Sequence, residues 1–472
     1  MAFADIAASV VRGVSKGNAR TLKRKMTAPP IAEHLIKEIS ADCFHVGFSK
    51  CDVMPDDISA KSYWMAGNGV GRKAESVHDP ITVSAMWVGC GENGGVLMVS
   101  ADCIGITNVE VCKIRDMLAK FSARTECKNI SVCCTHNHAG FDTVGYWGKF
   151  PKTGKDDEYM DKLLSSVVNV CKEAYENRKA GKLFIGSAHV PQAQLDSRPP
   201  TVLHDTLTRL RFIPDDGSEE TWFLNFAANP NALGRENRAI SADYPYYIRR
   251  KINEYKTTNV LFGVGAVGAV ESGEFSEDMH ERAILQGECL ANAAIQIEND
   301  RQLDCHLKIL RQPFYCPVEN SVFALSAALN VASSKRYPYN KGDLKLAFKT
   351  EMTYMILGDQ KILFLPGENF PETVYGGYSD ASESATGLSA DENPKPLTEI
   401  AEDENLLVFD VTNDMLGYVV PPNDFVLHPT QAYLRMGTDR FGKSHYHETK
   451  SLGIFVQETI ANIFSGMVKR MK

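Results

Sequence analysis

The 472-residue chain is long enough for one large or two medium globular domains, and its 44% hydrophobic content can fill a sizeable core. Its 51 basic and 59 acidic side chains leave a net charge of −8. That balance opposes general attraction to nucleic acid or an anionic membrane and points to small-molecule chemistry.

The chain opens on a basic segment in which Arg12, Lys16, Arg20, Lys23, Arg24 and Lys25 face one acid, Asp5. It reads as a solvated amphipathic helix rather than a transit peptide. No apolar targeting region follows Met1, and the longest apolar stretch, Val260 to Val270, is Gly-rich and too short to span a bilayer. A soluble, cytoplasmic protein with no transmembrane segment is expected. The break at Ala28-Pro29-Pro30 separates a basic helical extension, residues 1–41, from a body over residues 42–472. Twelve cysteines, with Cys133 and Cys134 adjacent and no CxxC pair, read as buried thiols in a reducing compartment.

Along the body, Ile114, Met117, Leu118 and Phe121 recur at helical spacing, as do Met160, Leu163, Leu164, Val167, Val168 and Cys171. Around them lie short apolar runs rich in β-branched and aromatic residues: Val96–Val99, Ile130–Cys134, Leu183–Ile185, Leu207–Phe212, Trp222–Phe226 and Val260–Val264. Met352–Leu357 and Lys361–Leu365, separated by Gly358-Asp359-Gln360, predict a hairpin. The polar stretch Gly376 to Glu404 reads as a solvated loop, with a lid as the alternative. The fold class is α/β, a mixed single large domain with no internal repeat.

Polar residues collect just past the apolar runs. Asp102 follows Val96–Val99, Thr135-His136-Asn137-His138 follows Ile130–Cys134, and Asn229 follows Trp222–Phe226. Pro366-Gly367-Glu368 follows Lys361–Leu365, and Asn413, Asp414 and Tyr418 follow Leu406–Val411. Ligand sites in α/β sheets commonly lie outside the carboxyl ends of strands. In extended backbone His136 and His138 point to one side, where one imidazole can hold a metal and the other can move protons. Taken singly, Glu368 reads first as a surface carboxylate in a loop, and Tyr418 as a packing residue of the core or rim.

In combination and order, these segments resemble the amino-terminal catalytic domain of neutral/alkaline ceramidases. Gly47-Phe48-Ser49-Lys50-Cys51-Asp52-Val53-Met54-Pro55 is similar to that family's opening strand and turn, and Val77-His78-Asp79-Pro80 to the segment that follows. Thr135-His136-Asn137-His138-Ala139-Gly140 resembles its Thr-His-Thr-His-Ser-Gly signature, and Asn225-Phe226-Ala227-Ala228-Asn229-Pro230 its Asn-Phe-Ala-x-His-Pro. Asp205–Phe212, Ile240–Pro245, Pro366-Gly367-Glu368, Gly417-Tyr418-Val419 and Ser451-Leu452-Gly453 complete the series, over roughly residues 42–465.

The resemblance implies a zinc amidohydrolase cleaving the N-acyl bond of a small-molecule or lipid-like substrate. Carried onto this chain, it implies metal ligands at His136, Glu368, Tyr418 and Asn229, with His138 moving protons and Arg198 steadying negative charge. Asn229 stands where the family has histidine, and an amide oxygen is a weak zinc donor; His138, His445 and His447 are the alternative imidazoles. Gly265–Ser272 aligns with a family Asn-x-Gly-Asp-x-Ser-Pro, so Ala269 replaces Asp and Glu271 replaces Ser. Two functions follow: a metal-dependent amidase, or a catalytically impaired relative acting as a binding or regulatory protein. Hydrolysis by a serine or cysteine nucleophile lacks a Gly-x-Ser-x-Gly elbow.

Overall fold

The computed structural model describes residues 3–31, 34–58, 60–92 and 94–472, with side chains from residue 8 onward. Met1 and the Asp5 side chain, read above, lie outside the described residues.

Among these residues the longer strands form two mixed sheets packed face to face. The nine-stranded sheet runs Thr258–Val264, Glu220–Phe226, Thr206–Pro214, Lys179–His189, Phe44–Asp52, Thr82–Cys90, Gly95–Ala101 and Cys127–Cys134, with Arg301–Gln302 beside Lys179–His189. The six-stranded sheet runs Lys37–Ser40, His306–Val318, Leu346–Leu357, Gln360–Phe364 and Leu407–Phe409, with Arg336–Pro338 off that path.

Alternation along each strand sends side chains to opposite faces. Met86, Val88 and Met98 therefore meet Met355, Phe364 and Phe409 of the other sheet in one buried cluster. Trp87, Leu97 and Val99 point the other way, into a cluster closed by Leu163, Val167, Ile248 and Leu290 of outer helices. Tyr354 and Leu363, on the far face of the smaller sheet, pack against Ile460, Phe464 and Met467 of the helix Phe455–Met471. The result is a helix–sheet–sheet–helix sandwich, a single mixed α/β body.

The helix Asp157–Glu176 starts where Asp156 caps it, its carboxylate accepting the Tyr159 amide at 3.0 Å. It buries Met160, Leu163, Leu164, Val167, Val168 and Cys171. The stripe Ile114–Phe121 is instead two helices, Asn108–Met117 and Ala119–Thr125, because the chain breaks at Leu118 and Met117 is left exposed. The hairpin turn is Gly358-Asp359 alone, with Leu357 opposite Gln360 and Gly358 at φ 62°. The polar stretch after Gly376 is tied down: Arg440 donates to the carbonyls of Ala381, Ser382 and Ser384, and Asn423 to that of Ser379. Leu397–Ala401 within it is helical and buries Leu397.

The basic segment forms a helix, Phe3–Lys25, held by a hydrogen bond of 2.8 Å from the Ser15 hydroxyl to the Ser321 carbonyl and by an Arg12–Asp343 ion pair. Beyond the Pro29-Pro30 break, Lys37–Ser40 pairs antiparallel with His306–Ile309, so residues 37–40 form the edge of the smaller sheet. All twelve cysteines are free thiols, with Cys133 and Cys134 fully buried. No helix among the described residues is long and apolar enough to cross a membrane.

One ion-pair cluster ties the strands Thr206–Pro214 and Glu220–Phe226 to Lys256, at the end of the helix Tyr244–Tyr255. Glu220 accepts from Arg211 and Lys256 at 2.7–2.8 Å and from the Trp222 indole at 2.8 Å. Burial alone would raise its pKa, but these donors outweigh burial and hold it at about 2, below the ordinary 4.5. A folded-state value depressed in this way stabilises the fold above pH 4.5, and the contribution is lost as pH falls toward 2. In Glu220→Gln the melting temperature should fall less steeply than in the wild type between those two values. Superimposable slopes would show that Glu220 does not contribute to the acid limb.

Candidate active site

The strand Cys127–Cys134 ends against Asn413, whose side-chain oxygen accepts the Val132 amide at 2.8 Å, and against the Cys133–Thr412 bridge. The next residues turn sharply. His136 has φ 58°, so the two histidines are not in extended backbone, and the period-2 argument for their common direction does not hold. The left-handed turn brings them together instead, with ring centroids 4.9 Å apart and planes at 75°. The buried His136 ring uses Nδ1 on the Ile104 carbonyl at 2.7 Å, which aims Nε2 at Glu368 Oε2, 3.2 Å away.

Glu368 is delivered by the turn after Gln360–Phe364. Gly367 there has φ 79°, and a Cβ on it would lie 2.6 Å from the Gly417 carbonyl, so only glycine allows the approach. Glu368 then pairs, parallel, with Tyr418. Asp410 fixes this short ladder from behind, accepting from the Asn369 amide at 2.7 Å and side chain at 2.5 Å.

These groups line one end of a cavity of about 800 Å³, at the upper part of the size range of small-molecule sites. Its wall includes His136, His138, Glu271, Glu368, Tyr418 and Tyr446, and beyond them the apolar side chains of Ile104, Tyr146, Trp147, Phe323, Val331 and Met415. Of the residues expected from sequence, His136, His138, Glu368 and Tyr418 thus share the cavity.

Asn229 and Arg198 do not line it. Asn229 is buried just behind, its amide donating to the Val270 carbonyl at 3.0 Å and its carbonyl accepting from the Ser272 hydroxyl at 2.7 Å, with no hydrogen-bond partner for Oδ1. Arg198 is spent on Asp424 and Glu448, at 2.8 and 2.9 Å. Its guanidinium also lies 5.3 Å from the Phe370 ring centroid, and that ring packs on Tyr418.

Three residues not singled out as site residues complete the polar end. Glu271 reaches the cavity from the short strand Val270–Ser272 and accepts a hydrogen bond from Asn231, while Tyr446 places its hydroxyl 3.5 Å from that of Tyr418. Glu271 stands out in sequence as a carboxylate where the resemblance has serine. Asn231 and Tyr446 carry no comparable signal.

Burial would keep the His136 ring neutral, but the adjacent Glu368 carboxylate outweighs it and raises the pKa. His138 is pushed far the other way by burial and by His136, so it is a neutral imidazole whose Nε2 has no partner. Burial and then Glu368 raise Glu271 to about 7. Burial and Glu368 also hold Tyr418 as a protonated phenol.

The zinc implied by the sequence resemblance can be tested against these donors. The 3.2 Å between His136 Nε2 and Glu368 Oε2 matches the edge, about 3.3 Å, of a tetrahedron with zinc bonds near 2 Å. The set goes no further. Among the described residues no three His, Cys, Asp or Glu side chains are arranged to hold a metal ion. Asn229 offers an amide in place of imidazole, and Tyr418 is a neutral phenol. His447, an alternative imidazole, packs edge to face on Tyr418 and tilted against Tyr446, and His445 is engaged by Asp439 and Glu448. A four-ligand zinc site does not fit the residues as they stand.

No protein-family profile matches the sequence, and no curated protein matches it. Among solved structures, neutral ceramidase from Pseudomonas aeruginosa superposes with a TM-score of 0.67 at 13% identity, over 92% of this chain and 75% of that one. A structure described as ceramidase complexed with C2 superposes with a TM-score of 0.68 at 12% identity, over 90% and 75% of the two chains. The chain has the neutral ceramidase fold.

Proposed function

We propose that the chain is a divergent, ceramidase-like hydrolase of the N-acyl bond of a sphingolipid-like amide, working in the cytoplasm. One observation carries this reading: a polar cluster of two carboxylates and two imidazoles shares the wall of a cavity of about 800 Å³ with a larger set of apolar side chains. An amide carbonyl at that cluster would leave its acyl chain among Ile104, Trp147, Phe323 and Met415.

In this reading Glu271, with its pKa about 7, takes a proton from the attacking water near neutral pH and passes it to the departing amine. His138 offers the neutral Nε2 as a second proton carrier. The Tyr418 and Tyr446 hydroxyls are donors for the developing oxyanion. Arg198 acts as a positioning residue, holding Phe370 and through it Tyr418. No step depends on zinc, which we expect this donor set to bind weakly.

Ala269 and the tethered Glu271 favour a second reading, a binding protein that retains the cleft without turnover. The two separate on one assay, release of fatty acid from a fluorescent C12 N-acyl sphingoid amide. Hydrolysis reduced about 10²-fold or more in Glu271→Gln and His138→Ala supports the enzyme. Saturable binding without product supports the second reading. With neither binding nor product, both fail.

A further inference from the structure

Two of the twelve thiols meet where the two sheets meet. Cys90 is the last residue of the strand Thr82–Cys90 in the nine-stranded sheet, and Cys305 directly precedes the strand His306–Val318 of the six-stranded sheet. Residues 41–44 run between them. The Ala41 amide donates to the Cys305 carbonyl at 3.1 Å, the Gly91 amide to the Cys43 carbonyl at 3.2 Å, and Phe44 stands opposite Cys90 in the sheet. A Cβ on Gly91 would lie 3.3 Å from that of Ala41, so this segment is packed closely against the strand end. Cys305 in turn packs against the buried cluster between the sheets to which Cys90 belongs, and the two side chains hydrogen-bond to each other.

The two thiols are not equivalent. Cys90 is buried, while Cys305 is half-buried and reached by solvent. The hydrogen bond from Cys90 holds the Cys305 pKa below the ordinary 9.0, against burial, and the Ala41 and Gly91 amides add to it. Cys90 is raised by that same hydrogen bond and by burial. Burial raises Cys43, Cys112 and Cys171 as well, so Cys305 carries more thiolate near neutral pH than these do. A solvent-reached thiolate beside a protonated thiol has the arrangement of an oxidisable cysteine and its resolving partner.

We propose that Cys305 and Cys90 form a site of reversible oxidation, in which hydrogen peroxide oxidises Cys305 and Cys90 resolves it as a disulfide joining the two sheets. The Cys305 thiolate attacks one peroxide oxygen, so that an S–O bond forms, the O–O bond breaks and hydroxide leaves, picking up the proton that Cys305 released. The Cys90 sulfur then attacks the resulting sulfenic acid, forming the S–S bond while the S–O bond breaks and water leaves with the Cys90 proton. In sum two thiols give up two electrons and two protons, and one peroxide becomes two waters. A thiol reductant reverses the step, which makes the site a transient one in a reducing compartment. The bond ties a strand end of one sheet to the strand of the other on which Lys37–Ser40 pairs. This inference does not rest on the hydrolase reading.

The test treats the folded, full-length protein with hydrogen peroxide, then unfolds it in an alkylating reagent and maps its peptides. A linked Cys90–Cys305 peptide should appear, the intact chain should lose the mass of two hydrogen atoms, and dithiothreitol should reverse both. Before oxidation, iodoacetamide should modify Cys305 about tenfold faster than Cys43. Cys90→Ser leaves Cys305 without its resolving thiol, and dimedone should then trap a sulfenic acid at residue 305. The wild-type peptide map decides the matter by itself if that variant fails to fold. No linked peptide, a Cys43–Cys305 linkage or a disulfide between two chains would overturn the inference. So would Cys43 reacting as fast as Cys305, or a folded Cys90→Ser protein that dimedone leaves unlabelled.

Discussion

Arg198→Ala should destabilise the fold by about 3–5 kcal/mol, the cost of leaving a buried charge without its partner. Arg198 is buried and touches two carboxylates, Asp424 at 10% side-chain exposure and Glu448 at 0%. Burial opposes its charge, but Glu448 and Asp424 outweigh that and raise its pKa. The same set holds Glu448 at about 2, where burial alone would raise it, with His445 and Arg198 the compensating partners. Removing the guanidinium leaves Glu448 with His445 and the Val426 amide as its partners and frees the loop carrying Asp424. Denaturant unfolding measures the loss. The triple change Arg198→Ala, Asp424→Asn, Glu448→Gln should recover much of it, since the penalty lies in the orphaned charges. A single-variant loss within about 0.5 kcal/mol, the range of an exposed surface change, would show that the cluster is not the buried network described.

Arg198 also shows where sequence stops being informative. In the chain it is one residue of Asp196-Ser197-Arg198, and only the resemblance suggested a role. Its partners are 226 and 250 residues away, a separation no local pattern encodes. The helix Asp157–Glu176 was legible because its burial repeats every three to four residues within the segment itself. The polar residues past the strands were legible for a related reason: a doubly buried strand is a continuous apolar run, so its end is visible. What joins those ends is not visible. Glu368 reaches His136 through the pairing of Glu368 with Tyr418 and of Cys133 with Thr412. The left-handed turn at His136 brings the two imidazoles together by a route that their spacing in sequence does not encode.

Asn229→His should raise zinc affinity about 100-fold, or about 2.7 kcal/mol. Two donors already stand at a tetrahedral edge, His136 Nε2 and Glu368 Oε2 at 3.2 Å. Asn229 is hydrogen-bonded through its backbone to Val270 and Ser272, the two neighbours of Glu271, and its Oδ1 is buried without a partner, so replacing the side-chain amide disrupts no hydrogen bond of that oxygen. An imidazole is longer than an amide and carries a neutral nitrogen, a far better zinc donor than an amide oxygen. Zinc would also have to ionise Tyr418, which burial and Glu368 oppose, so zinc affinity should rise with pH in both proteins. Parallel calorimetric zinc titrations of the two proteins measure it, and they do not rely on turnover. Tight stoichiometric binding by the wild type, unchanged in the variant, would mean that a donor other than residue 229 already completes the set. Glu271 is then the first suspect, because its carboxylate shares the cavity wall with His136 and Glu368, and loss of zinc from Glu271→Gln would identify it. If instead the variant gains zinc and remains inactive on N-acyl substrates, Glu271 in place of serine and Ala269 in place of aspartate are the residues that keep the restored metal from acting.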